Sequence, residues 1–306
     1  MAAEADVVRD VHCPGTTLPA FQQFFPMRDV VQTVLETAAS MGAQVILLPN
    51  NLFYPHSHLY SALLEAGCRL PVVAAQHGLV QAWASHRNWA TCDWFFAFGP
   101  RYLEPARHLA FRGAVAAGLP KLDRLAGFAP EAAEEIVVLG NPSARGDKAL
   151  QGIIDALPDL SGLPLYVRGH PMYPALQGVA HRPADLQAAR RVTEAPIPRL
   201  FTHTALALGS HSTALLEAMW AGVPVVVLPL HQWQPSYENY PGLAEMAMAG
   251  SVMRAWDIVR APSFSCSAFL ADVVTGQPGG QARRFAALLS AVGSNPDADP
   301  ASAVPL

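Results

Sequence analysis

Three segments of this chain end an apolar run in side chains that could move a proton or hold an anion. The first is Val72-Val-Ala-Ala-Gln-His-Gly78. Imidazole titrates near neutrality, so His77 at the carboxyl end of a strand suits removal of a proton from an attacking hydroxyl. It reads equally as a loop histidine bonded to a carbonyl. The second is Leu165-Tyr-Val-Arg-Gly-His-Pro171. Pro171 forces the chain out of a sheet, which would leave Arg168 and His170 at the strand end, able to neutralise a departing diphosphate. The alternative is a surface loop carrying an ordinary arginine. The third is Ala205-Leu-Ala-Leu-Gly-Ser-His-Ser-Thr213, followed by an apolar helix that contains Glu217. The first N–H groups of a helix lack internal partners and carry the positive end of its dipole, so Ser210, His211, Ser212 and Thr213 surround a natural phosphate site. Plain N-capping by serine or threonine is the other reading. Glu217 lies beyond capping-box reach of Ser212 and among Leu215, Leu216, Ala218 and Met219. A carboxylate there needs a partner, and a ribose diol is a suitable one.

These residues need a frame, and the hydrophobic pattern predicts one. Val45-Ile-Leu-Leu48, residues 71–75, 94–98 and 113–116 read as buried strands. Helical stretches separate them at 28–41, 57–66 and 101–110. Strands without polar alternation, separated by helices, imply a parallel sheet covered on both faces. The pattern restarts at Glu135-Ile-Val-Val-Leu139 and continues through strands at 163–167, 205–208 and 223–228. Helices are expected near 148–157, 185–192, 213–221 and 240–249. The fold class is therefore α/β, with two Rossmann-like wound sheets in succession, the N-terminal one short. Residues 1–127 form the expected first domain, 128–293 the second, and 294–306, rich in Pro, Ala, Asp and Ser, a disordered tail. Ligands of such sheets sit beyond the carboxyl ends of the strands, so the cleft between the two is the expected site.

Composition removes several classes. Of 306 residues 51% are hydrophobic and 14% charged, which supplies ample core. A formal charge of -4 and no Lys/Arg-rich run argue against nucleic acid. Cys13, Cys68, Cys92 and Cys266 form no Cys-x-x-Cys pair, and His56 and His58 have no carboxylate nearby. Neither a disulfide framework, a metal nor a cofactor is expected. No signal peptide and no membrane-length apolar run are visible, so a cytoplasmic protein is expected, with any membrane contact peripheral and at the inner face. Dinucleotide, P-loop and nucleophile-elbow motifs are missing from the sequence.

The segment from Ala205 to Pro229 resembles the nucleotide-binding half of GT-B glycosyltransferases. There a strand-Gly-Ser/Thr turn holds the donor phosphates, and a glutamate on the next helix binds the ribose. The run Leu228-Pro-Leu-His-Gln-Trp-Gln-Pro-Ser-Tyr-Glu-Asn239 is similar to their loop near the donor sugar. That resemblance implies Ser212 and Thr213 on phosphate, Glu217 on ribose and Gln234 on the donor group.

The order of Gln-His-Gly, then Gly118-Leu-Pro-Lys-Leu-Asp-Arg-Leu125, then Arg-Gly-His-Pro, then Ser-x-Ser-Thr-x-x-x-Glu resembles three related families. They are the CDP-glycerol glycerophosphotransferases, the capsule-polysaccharide transferases and the UDP-N-acetylglucosamine 2-epimerases of the same scaffold. The likeness runs from about Val45 to Ala249. It implies His77 as catalytic base, the second catalytic residue His170 together with Arg168 holding the donor phosphates, and Asp123 closing the interdomain turn. The implied activity is transfer of a glycosyl or polyol-phosphate group from a UDP-, CDP- or CMP-linked donor to a glycan or polyol acceptor. Two alternatives stand beside it: a 2-epimerase, which needs more cleft carboxylates than the first sheet offers, and a non-catalytic nucleotide- or glycan-binding protein.

Overall fold

The computed structural model describes residues 27–48, 56–76, 92–106, 110–131, 134–139, 164–168, 190–192, 196–209, 213–227 and 265–304. Helix α1 (Met27–Met41) places Val31 and Ala38 in the core and Met27, Val30, Val34 and Leu35 against it, the spacing of one helical face. Strands β1 (Ile46–Leu48), β2 (Val72–Ala75), β3 (Cys92–Ala97) and β4 (Ala110–Ala116) form a parallel sheet in that order. Helix α2 (His56–Glu65) lies between β1 and β2 in sequence and packs beside α1.

Successive strand residues point to opposite faces, and both faces of this sheet are apolar. Val72, Ala74, Phe95 and Ala97 join the larger core, whereas Val73, Trp94, Phe96 and Val115 meet Leu288 and Val292. The latter two belong to α7 (Gln281–Ser294), far along the chain.

Two sequence expectations change here. In place of a helix over 101–110, a 3-10 turn (Pro100–Tyr102) and the short helix α3 (Leu103–Ala106) give way to a strand that begins at Ala110. Pairing of Ala110 with Cys92, with an irregularity before Trp94, extends β4 upstream of its apolar run.

The second sheet has the order β7-β6-β5-β8-β9, all parallel. Its strands are β5 (Glu135–Leu139), β6 (Leu165–Arg168), β7 (Arg190–Val192), β8 (Thr204–Gly209) and β9 (Val225–Val227). The strand at Arg190–Val192 replaces the end of a helix expected over 185–192, because three residues pair with Leu165, Tyr166 and Val167 and tertiary pairing outweighs local propensity. Helix α4 (Ile197–Phe201) precedes β8, and α5 (Thr213–Trp220) links β8 to β9. The expected helices at 148–157 and 240–249 lie outside the described residues.

Two crossings join the sheets side by side. The outgoing one contains a 3-10 helix (Pro120–Leu125), and the return follows α6 (Ser267–Val273) and runs through Thr275 into α7. Thr275 N–H donates to the Phe98 carbonyl (2.8 Å), and Leu119 N–H to Oε1 of the fully buried Gln281 (2.9 Å). Asp123 accepts from the Gln281 and Ala282 N–H groups at 3.0 and 2.8 Å, capping α7 from the other crossing.

Helix α7, inside the 128–293 stretch assigned by sequence to the second unit, thus lies on the first sheet. The expected disordered tail is ordered through residue 304. Trp94 Nε1 and Arg112 both donate to the Pro296 carbonyl, Arg112 also pairs with Asp297, and Asp299 caps α8 (Pro300–Ala303). Donors of the first sheet, one from the buried Trp94 and one from the exposed Arg112, supply what the tail's composition lacks. No helix among the described residues is long and apolar enough to cross a membrane.

Gly118 (φ +85°) shows how tightly the crossings meet. A Cβ there would collide with the Gln281 carboxamide and lie 2.8 Å from the Thr275 carbonyl oxygen. Gly127 has a similar φ of +71° but open space around it. Both Gly→Ala changes incur the left-handed backbone cost of about 1 kcal/mol. Gly118→Ala should lose about 1–3 kcal/mol more, the usual cost of overpacking, as read by urea denaturation of the two variants.

Candidate functional site

The order of the second sheet locates a crevice. From β5 the chain winds outward through β6 to β7, then returns to the other side of β5 as β8. The chain therefore turns to opposite sides after β5 and β8, and in open parallel sheets ligands sit beyond the carboxyl ends of the strands at such a point, here the ends at Leu139 and Gly209. The backbone comes close here. A Cβ on Gly209 would lie 3.2 Å from both the Leu139 carbonyl oxygen and Leu215 Cδ1, so a larger residue at the β8 end would crowd β5 and α5. Arg168 is half-buried at the end of β6, in register with Leu139.

Helix α5 starts at the mouth of the crevice. Leu215 to Met219 are all buried, and Glu217, at 2% exposure, is in the middle of that run. Thr213 and Glu217 are four positions apart, so both lie on one helix face. A buried carboxylate must be paired. Lys121 Nζ lies 2.7 Å from Oε1, and the Arg124 guanidinium pairs with Oε2. Both cations come from the outgoing crossing and are partly exposed, at 35% and 43% of their side chains.

The geometry of that crossing explains how six residues serve three neighbours. In a 3-10 helix residues i and i+3 eclipse one another. Lys121 and Arg124 share one edge and reach Glu217; Leu122 and Leu125 share a second and are buried in the core; Asp123, on the third, caps α7. Two cations face one carboxylate, so the cluster keeps a net positive charge beside the helix face that carries Thr213.

At the first sheet, Gln76 marks the corresponding strand end. Its Oε1 accepts from Phe98 N–H (2.8 Å), and its own N–H donates to the Phe96 carbonyl (2.9 Å), which fixes the end of β2 against β3. It is 6% exposed and immediately precedes His77 in sequence.

Of the residues singled out from sequence, Arg168, Thr213 and Glu217 are described, and all three belong to the carboxyl side of the second sheet. His77, His170, Ser210, His211, Ser212 and Gln234 lie outside the described residues. Asp123 does close the turn between the sheets, by capping a helix that returns from the second. Lys121 and Arg124 were missed as partners of Glu217. Their signal was the three-residue repeat of cation and leucine after Pro120, which is invisible to a search for helical or strand periods.

No protein-family model matches this sequence, and no curated protein sequence matches it. Solved structures do match its fold. The S. aureus MnaA–UDP co-structure superposes with a TM-score of 0.56 at 13% identity, over 90% of this chain and 86% of that one. The GtfA/B complex gives 0.50 at 13% identity, over 87% and 61%. The wall teichoic acid polymerase TagF, soaked with CDPG, gives 0.50 at 11% identity, over 83% and 73%. The chain has the α/β GT-B scaffold of these proteins.

The ion cluster is asymmetric in a way that stability measurements should reveal. Removing Glu217 leaves two cations that already reach water, whereas removing both cations strands a buried charge. Lys121→Met with Arg124→Met should therefore cost about 3 kcal/mol or more, and Glu217→Met clearly less, in guanidinium denaturation at neutral pH.

Proposed function

We propose that this protein transfers a glycosyl or polyol-phosphate group from a nucleotide-activated donor to an acceptor hydroxyl in cell-surface polysaccharide synthesis. The observation that carries the reading is the face of α5 at the β5/β8 crevice. Thr213 at its start and Glu217 one turn later are about 6 Å apart along the axis. That is the scale on which a nucleotide separates its phosphates from its ribose hydroxyls. A helix amino end suits the phosphates, and a carboxylate suits the diol. MnaA with UDP and TagF with CDPG carry nucleotide ligands on the same scaffold, which supports a UDP-, CDP- or CMP-linked donor.

Ser210, His211 and Ser212, between Gly209 and Thr213 in sequence, are assigned to the donor phosphates together with Arg168 and His170. Gln234 is assigned to the transferred group. His77 follows the pinned Gln76 and is assigned as the base. In the reaction the acceptor hydroxyl oxygen attacks the anomeric carbon, or the phosphorus of a polyol-phosphate donor. Its proton passes to His77 as the bond to the nucleotide breaks. The departing group leaves as nucleoside diphosphate from a UDP- or CDP-linked sugar, or as nucleoside monophosphate from a CMP-linked sugar or a CDP-linked polyol, and positive groups take up its charge.

UDP, CDP or CMP should raise the melting temperature of the protein, because a ligand confined to the folded state stabilises it. His77→Ala should cut turnover by about 100-fold or more while nucleotide affinity stays within about twofold. Glu217→Ala should weaken nucleotide binding about tenfold or more by calorimetry. No melting shift with any of the three nucleotides would sink the reading. Unchanged turnover in His77→Ala would remove the base. Scrambling at C2 of UDP-N-acetylglucosamine without acceptor would replace transfer by epimerisation.

A further inference from the structure

We propose that Lys121 and Arg124, on the crossing between the sheets, are positioning residues for ribose recognition: they hold the Glu217 carboxylate aimed, so that selection of a ribose depends on the crossing segment. This rests on the reading above, in which Glu217 meets the ribose diol.

A carboxylate has about four lone-pair directions, two on each oxygen. Lys121 takes one on Oε1 and Arg124 one on Oε2. Each oxygen keeps one acceptor direction, and the pair of them matches the two hydroxyls of a vicinal diol. With cations on both oxygens the carboxyl plane cannot rotate freely, so those two directions are fixed before a ligand arrives.

Glu217 is nearly covered, and the partly exposed Lys121 and Arg124 side chains, at 35% and 43%, mark the side from which a diol would approach while both ion pairs hold. The backbone that carries them is fixed. Leu122 and Leu125 anchor the 3-10 helix in the core, and Asp123 fixes it to α7. The cations therefore report the position of the crossing to the donor site, and a shift of the first sheet against the second would move them relative to Glu217.

The test compares affinities for UDP and 2′,3′-dideoxy-UDP, and for CDP and its dideoxy form, by calorimetry. The intact protein should prefer the ribose form by roughly tenfold or more, the weight of hydrogen bonds to a charged acceptor. Glu217→Gln should bring that ratio down to about twofold or less. Lys121→Met and Arg124→Gln should each reduce it toward the same level, with dideoxynucleotide affinity within about twofold of the intact protein. Each single change leaves the other cation on Glu217, which preserves the fold. Lys121→Arg and Arg124→Lys should restore the preference. General loosening of the structure would weaken both ligands alike and leave the ratio unchanged, and that result would overturn the positioning role. A ratio lost in Glu217→Gln but kept in both cation variants would overturn it too. If the intact protein itself shows no ribose preference, the ribose reading of Glu217 fails, and this inference fails with it.

Discussion

A single buried carboxylate organises the junction of this protein. Glu217 lies inside an apolar stretch of α5, where an unpaired charge would cost several kcal/mol. The compensating cations come from the crossing that leaves the first sheet, roughly a hundred residues earlier in the chain. Placing them at Glu217 fixes the rotation of the 3-10 helix, and that rotation decides what its other edges meet. Two leucines go into the core and Asp123 goes to the start of α7. The cluster of charge, the apolar core and the helix cap are consequences of one rotational setting.

The return crossing completes the arrangement. Because Asp123 and Leu119 both bond to the Gln281 region, the outgoing and returning chains are stapled where they pass. Helix α7 then lies on the face of the first sheet formed by Val73, Trp94, Phe96 and Val115, with Phe285 edge-on to Phe96 at 5.2 Å between ring centres. The first sheet is thus finished by residues from the far end of the sequence. Asp93, at the start of β3, adds a second tie on that side. It accepts from Val72 N–H and from Tyr60, and it pairs with Arg112, which also holds Asp297. Burial, and after it the acidic Asp93 neighbour, push the Tyr60 hydroxyl well above its ordinary pKa, so it remains a donor.

Helix α5 and the crossing therefore form one physical unit. The face of α5 that bears Thr213 and Glu217 is held from the first-sheet side by two cations on a rigid short helix. Such a connection ties the position of α5 beside the second sheet to the geometry of the junction.

The sequence alone determined most of the strands, because buried parallel strands are written as uninterrupted apolar runs and need no partner to be recognised. It also marked Glu217 as anomalous, since a carboxylate among leucines and alanines is out of place without a counterpart. It could not supply that counterpart. Lys121 and Arg124 resemble surface charges until the 3-10 spacing and the distant α5 are brought together. The strand at Arg190–Val192 is defined by its pairing with β6, and the order of 295–304 by hydrogen bonds to Trp94 and Arg112. Local patterns are carried by neighbouring residues and so can be read in one dimension. Charge compensation, edge pairing and the docking of a tail depend on contacts between distant segments, and those exist only once the chain has folded.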